Sequence, residues 1–132
     1  MNPRSIAVAV LAICLLVAPG CGEPKVPRYN LSGTVTYEGK PVPAGRILFE
    51  PDIRKGNDGP QGYSDIKDGK YGTDRFGKGA VSGPLVVTII GTTGQDATEA
   101  NMLGRPLFPR YQTTIDLPKE AIEYDFEVPS GP

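Results

Sequence analysis

The 132-residue chain contains no histidine and no tryptophan, and only two cysteines. Histidine-dependent acid/base chemistry, the Ser-His-Asp arrangement and imidazole metal sites are therefore excluded. Other groupings come close to a reactive pattern. Gly72-Thr73-Asp74-Arg75-Phe76-Gly77-Lys78-Gly79 matches a phosphate-binding loop except at its end, where Gly79 replaces the Ser or Thr that holds magnesium. The Ala80-Val81-Ser82-Gly83-Pro84 that follows cannot open a helix of aligned N–H donors. Ser64 and Lys67 have the Ser-x-x-Lys spacing of penicillin-recognising enzymes, which works on a helical face but separates the pair on a strand. Asp65, Asp68 and Asp74 lie close enough in sequence to gather round calcium, but without the regular spacing and closing Glu of a calcium loop. Asn30-Leu31-Ser32 is a glycosylation sequon in a segment read as a strand. None of these carries a catalytic or metal site, and the sequence reads as a non-enzyme without a cofactor.

The remaining reactive group is a thiol. Met1 to Arg4 supplies one cation, Ile6 to Ala18 is apolar, and Pro19-Gly20 closes the run just before Cys21. That is the tripartite form of a secretory leader. It is too short for a spanning helix, which needs about 20 apolar residues. Cleavage after residue 20 removes Cys14 and leaves Cys21 alone, so no internal disulfide can form. A single cysteine in this place resembles a bacterial lipobox, with Ala18 and Pro19 departing from the usual pattern. The resemblance implies acylation of Cys21 and attachment to a membrane through the lipid. Ordinary cleavage nearby, leaving a free thiol, is the alternative. Gly22 stands where an inner-membrane retention signal has Asp, which favours the outer membrane. Residues 21–28, with Pro24 and Pro27, read as an extended tether of about 3.1 Å per residue.

The elements that must carry any site are strands. Seventeen Gly and 14 Pro disfavour long helices. Lys and Arg number 14 against 15 Asp and Glu, with no run of like charge, which argues against a nucleic-acid partner. Tyr29, Leu31, Gly33, Val35 and Tyr37 alternate with polar residues, Arg46–Glu50 follows, and Gln61–Ile66 and Lys70–Asp74 flank an Asp68-Gly69 turn. Leu85–Ile90 is the most apolar run and reads as a central strand buried on both sides. Thr113–Leu117 and Ile122–Val128 complete the set, the latter with Ile122, Tyr124, Phe126 and Val128 turned inward. About seven short strands predict an all-β, antiparallel Greek-key sandwich over residues 29–128, with 129–132 as a tail. The connection Gly91–Arg110 is long for a compact domain. Its Asp96-Ala97-Thr98-Glu99 has capping-box spacing before Gly104, predicting one short helical turn.

Laid out this way, the chain resembles the carboxypeptidase-regulatory-like domain, a transthyretin-like (prealbumin-like) sandwich, and more narrowly small bacterial lipoproteins built from one such domain. The likeness rests on Gly33–Val42, Gly45–Phe49 with Pro51, Asp68-Gly69-Lys70-Tyr71, Gly83–Ile89 and Phe108-Pro109-Arg110-Tyr111. Leu85 departs from it, standing where the family often has an aromatic. The resemblance implies an architecture and brings no catalytic residue. The function expected is that of an exported, lipid-anchored cell-envelope protein whose sandwich has a structural or protein-interaction role. A carbohydrate- or peptide-binding module using the loops at one end of the sandwich is the alternative. Met102, Leu103, Leu107 and Phe108 form the candidate partner-binding loop for an envelope protein or glycan. The same apolar residues would equally serve to cover the end of the sandwich.

Overall fold

The computed structural model describes residues 25–131 together with Gly20, so the expected leader, Cys21 and the first half of the tether lie outside the described residues. Strands β1 (Leu31–Tyr37), β2 (Lys40–Pro41) and β3 (Ala44–Pro51) come first, followed by a 3₁₀ turn at Ile53–Lys55. Next are β4 (Gly62–Lys67), β5 (Lys70–Gly72), the one-turn helix α1 (Thr73–Phe76), β6 (Gly77–Lys78) and β7 (Gly83–Thr92). The chain ends with β8 (Tyr111–Leu117), β9 (Ile122–Glu123) and β10 (Phe126–Val128). The fold is all-β, as the alternation predicts. Its main path has seven strands in the order β10-β1-β5-β4-β3-β7-β8, with β2, β6 and β9 attached at the sides.

That path would be flat without its side chains. β3 and β10 stand four places apart in the order, which at about 4.8 Å per strand is roughly 19 Å along a flat sheet. Phe49 of β3 and Phe126 of β10 nevertheless have ring centroids 6.4 Å apart, with Tyr71 of β5 between them at 6.2 and 5.7 Å. The sheet therefore curls on itself and makes its own second layer. The core is the inner face: Leu31, Val35, Ile47, Phe49, Val87 and Ile89 are all fully buried. Each such side chain contributes about 1.5–3 kcal/mol by leaving water. The run Leu85–Ile90 is central, between β3 and β8, but its second face is covered only in part: Thr88 is buried, while Val86 and Ile90 are half-exposed.

Turn chemistry sets the register. Asp68 and Gly69 both have positive φ, 51° and 76°, the two-residue turn that matches strand twist. It pairs Lys67 with Lys70. Glu38-Gly39 makes the same turn between β1 and β2.

The C-terminal segment departs from the expected single strand. β9 and β10 run parallel to β1, and Tyr124-Asp125 separates them. Asp125 causes the interruption, because its Oδ1 accepts the Thr34 N–H at 2.9 Å in place of a backbone carbonyl. Tyr124 donates its N–H to Ser32 O at 2.8 Å, and its carbonyl accepts the Tyr71 hydroxyl at 2.5 Å. The close approach needs Gly33, at φ 152°, since a Cβ there would strike the Tyr124 carbonyl. Tyr124 is consequently exposed and does not point inward.

The expected helical turn within Asp96–Leu103 is not helical, and the short helices form at Thr73–Phe76 and Ile53–Lys55 instead. Asp96 has φ 57°, whereas a helix N-cap needs extended backbone. Thr98 and Asn101 exchange backbone hydrogen bonds at 3.1 Å, and Gly104 N–H returns to Asn101 O at 3.0 Å, so the segment is a pair of reverse turns.

Two measurements follow from this core. Ile89→Ala is expected to cost about 2–5 kcal/mol in denaturant unfolding; an unchanged midpoint would place β7 at the periphery. Burial, reinforced by the charges of Asp125, Tyr124 and Glu123, holds the Tyr71 phenol far above its ordinary value. The unfolded chain therefore loses this proton first, at about pH 10, and stability should fall above that pH by up to about 1.4 kcal/mol per pH unit. Tyr71→Phe should flatten that share of the alkaline slope, and an unaltered slope would contradict the burial.

Candidate functional site

The outer face of β4, β3, β7 and β8 is built by simple alternation. Arg46, Leu48 and Glu50 of β3 point away from the core and stand opposite Ile90, Thr88 and Val86 of β7. Across β4 the partners are Asp65 and Tyr63, and across β8 they are Gln112 and Thr114. Arg46 donates Nε to Asp65 at 2.9 Å and lies 5.0 Å from the centre of the Tyr63 ring. An ion pair this exposed contributes about 0–1 kcal/mol. Its main effect is to hold the guanidinium over the aromatic ring.

A loop rises at each end of this face. At one end Pro51–Arg54 stands beside Val86, Gln112 and Thr114 around an open hollow of about 420 Å³. At the other, Ala100–Gly104 folds against Ile90 and Thr92 around a smaller hollow of about 210 Å³. Three exposed apolar side chains sit on these rims: Ile53 is 82% exposed, Met102 81% and Leu103 43%. The second rim is held firmly. Thr92 Oγ1 donates to Leu103 O at 2.6 Å, Thr93 N–H to Arg105 O at 2.9 Å and Leu107 N–H to Gly91 O at 3.0 Å.

The residues expected to bind a partner therefore separate into two pairs. Phe108 is buried, with its ring 4.8 Å from that of Tyr37 and in the space a Cβ on Gly91 would need. Leu107 is half-buried against the same core. These two cover the end of the sandwich, whereas Met102 and Leu103 project from it. Cys21 lies outside the described residues. Ile53 belongs to no alternating or helical pattern in the sequence. The signal was present in Asp52, an N-cap whose carboxylate accepts the Arg54 N–H at 3.1 Å, and in Gly56, the left-handed stop.

The near-motifs find other uses. Ser64 is buried, with Oγ donating to Asp65 O and accepting the Gly72 N–H, while Lys67 is exposed. Gly72–Gly79 is divided among a strand end, α1 and β6, with Lys78 paired to Tyr63. Among the described residues no three of His, Cys, Asp or Glu are grouped to hold a metal ion. Tyr124 is the one exposed aromatic ring among them; Tyr29, Tyr37, Tyr63, Phe76 and Tyr111 are half-buried, with Tyr63 under Arg46 and Phe76 under Lys67. No protein-family model matches the chain, and no curated protein matches it.

Replacing both Met102 and Leu103 with Ser should leave stability within about 0.5 kcal/mol, as for other surface changes. Phe108→Ala should cost about 3–5 kcal/mol. Thermal or denaturant melts would check the division, and equal losses in the two variants would mean that the projecting pair is core after all.

Proposed function

We propose that the chain is an exported cell-envelope lipoprotein, anchored through acylated Cys21, whose transthyretin-like sandwich has a structural or protein-interaction role and no catalytic activity. The observation that carries this reading is the sequence Met1–Cys21, in which one cation, an apolar run and a small residue lead to the only cysteine left after cleavage. Several acyl chains on one residue give the multiple attachment that stable membrane anchoring needs. The outer membrane is the proposed destination, from Gly22. The contact surface proposed for an envelope partner is the rim at Met102 and Leu103 with the half-exposed Ile90 beside it. A rigid, apolar projection on a braced loop suits protein docking. A glycan platform would need several rings exposed together, and the aromatic groups here are mostly buried or covered by cations.

Cys21→Ser should abolish membrane retention. Growth with labelled palmitate should mark the wild-type chain and spare the variant. Equal labelling of both, or release of both in soluble form, would defeat the anchor.

A further inference from the structure

The chain enters at the end of the sandwich that carries the Ile53 turn. Tyr29 pairs with Ala80, and Arg28 Nη1 donates to Gln61 O at 3.2 Å and to Gly79 O at 3.1 Å. Val26 and Pro27, expected to belong to a tether, instead line a hollow with Asn57, Val81 and Lys119. The chain is thus docked from Val26 onward. An extended stretch from Cys21 to Val26 spans at most about 17 Å. Any membrane holding Cys21 is therefore close to this end.

The same end carries Ile53 on a braced turn. Asp52 caps it, Gly56 N–H closes it on Ile53 O at 3.1 Å, and Asn57 Nδ2 ties it to Ser82 O and Pro84 O at 3.0 and 2.8 Å. Ile53 has no core to fill, yet it is held outward on a rigid support with Arg54 and Lys55 exposed beside it. Lys25 and Lys119 are exposed at the same end. The exposed carboxylates there are Asp58, Glu120, Asp116 opposite Pro84 and Glu50 opposite Val86, while the Asp52 carboxylate is turned into its turn. The one ion pair among the described residues is Arg46–Asp65, so these cations have no carboxylate within 4.0 Å among those residues. At the opposite end Met102 and Leu103 stand between Asp96 and Glu99 on one side and Arg105 and Arg110 on the other.

Resting on the proposed anchor at Cys21, we propose that the end bearing Val26, Ile53, Arg54, Lys55 and Lys119 lies on a bilayer containing anionic phospholipid. Ile53 enters the headgroup boundary and the cations meet lipid phosphates. The contact would fix orientation, pointing Met102 and Leu103 away from the membrane.

The chain has no tryptophan, so Ile53→Trp and Met102→Trp each introduce a single indole. The full chain carrying one or the other is reconstituted on phosphatidylcholine vesicles with or without phosphatidylglycerol, the acyl chains brominated as quenchers. The indole at 53 should shift to the blue and be quenched only with phosphatidylglycerol, and the indole at 102 should stay in water. High salt, Arg54→Glu with Lys55→Glu, or Lys119→Glu on a separate segment should abolish or weaken the quenching. An indole at 53 that stays in water on phosphatidylglycerol vesicles overturns the proposal, as does quenching indifferent to lipid charge. Protection of that indole only in whole envelope fractions assigns Ile53 to a protein partner and also overturns it. Flotation and the mass of Cys21 report the anchor separately. An acylated, floating chain with its indole at 53 in water removes this contact and leaves the anchor. An unacylated chain with the indole quenched does the reverse.

Discussion

The contact among Phe49, Tyr71 and Phe126, locked by the Tyr71 hydroxyl on the Tyr124 carbonyl, turns one ladder of strands into a closed sandwich. Hydrogen bonding alone gives a sheet with two free edges and an inner face open to water. Bringing β10 over β3 and β5 buries that face, and the phenol can be buried because its hydroxyl has an acceptor. The acceptor exists because Asp125 interrupts the last strand and Gly33 lets the interruption approach. A polar contact of this kind specifies more than it stabilises. It fixes which carbonyl faces Tyr71, and with it the position of β10 along β1.

Closure leaves two ends and one broad outer face, and the apolar side chains that the core does not take up are found there. At the Met102 end, Leu107 and Phe108 seal the core, so the residues just before them are free to project. At the Ile53 end the same division recurs: Asp52 and Asn57 satisfy the backbone, and the isoleucine between them faces outward. Both ends are rigid. On the proposed reading, one end meets lipid and the other meets protein.

The strands were readable in the sequence because alternation and turn residues are local signals. Leu31 and Val35, the Asp68-Gly69 turn and the apolar run of β7 took the places their patterns predicted. The misplaced features depended on distant partners. Ile122–Val128 alternates well enough for one strand, and only the Thr34 N–H, remote in sequence, draws the Asp125 side chain into the ladder. Asp96 to Glu99 has capping-box spacing, but Thr93 and Gln95 are bound to Arg105 across the loop, which fixes the chain in turns before a helix can start. Ile53 was unremarkable among charged and glycine residues, since its significance lies in a brace formed with Ser82 and Pro84.

The curl that joins β3 to β10 is the claim on which the rest stands, and a double-mutant cycle tests it most directly. Phe49→Leu, Phe126→Leu and the double variant would be unfolded in denaturant under the same conditions. Contact between the rings predicts a coupling of about 0.5–1.5 kcal/mol, so that the double variant loses less than the two single losses added together. Strict additivity would mean that the rings do not touch and that the sheet is open.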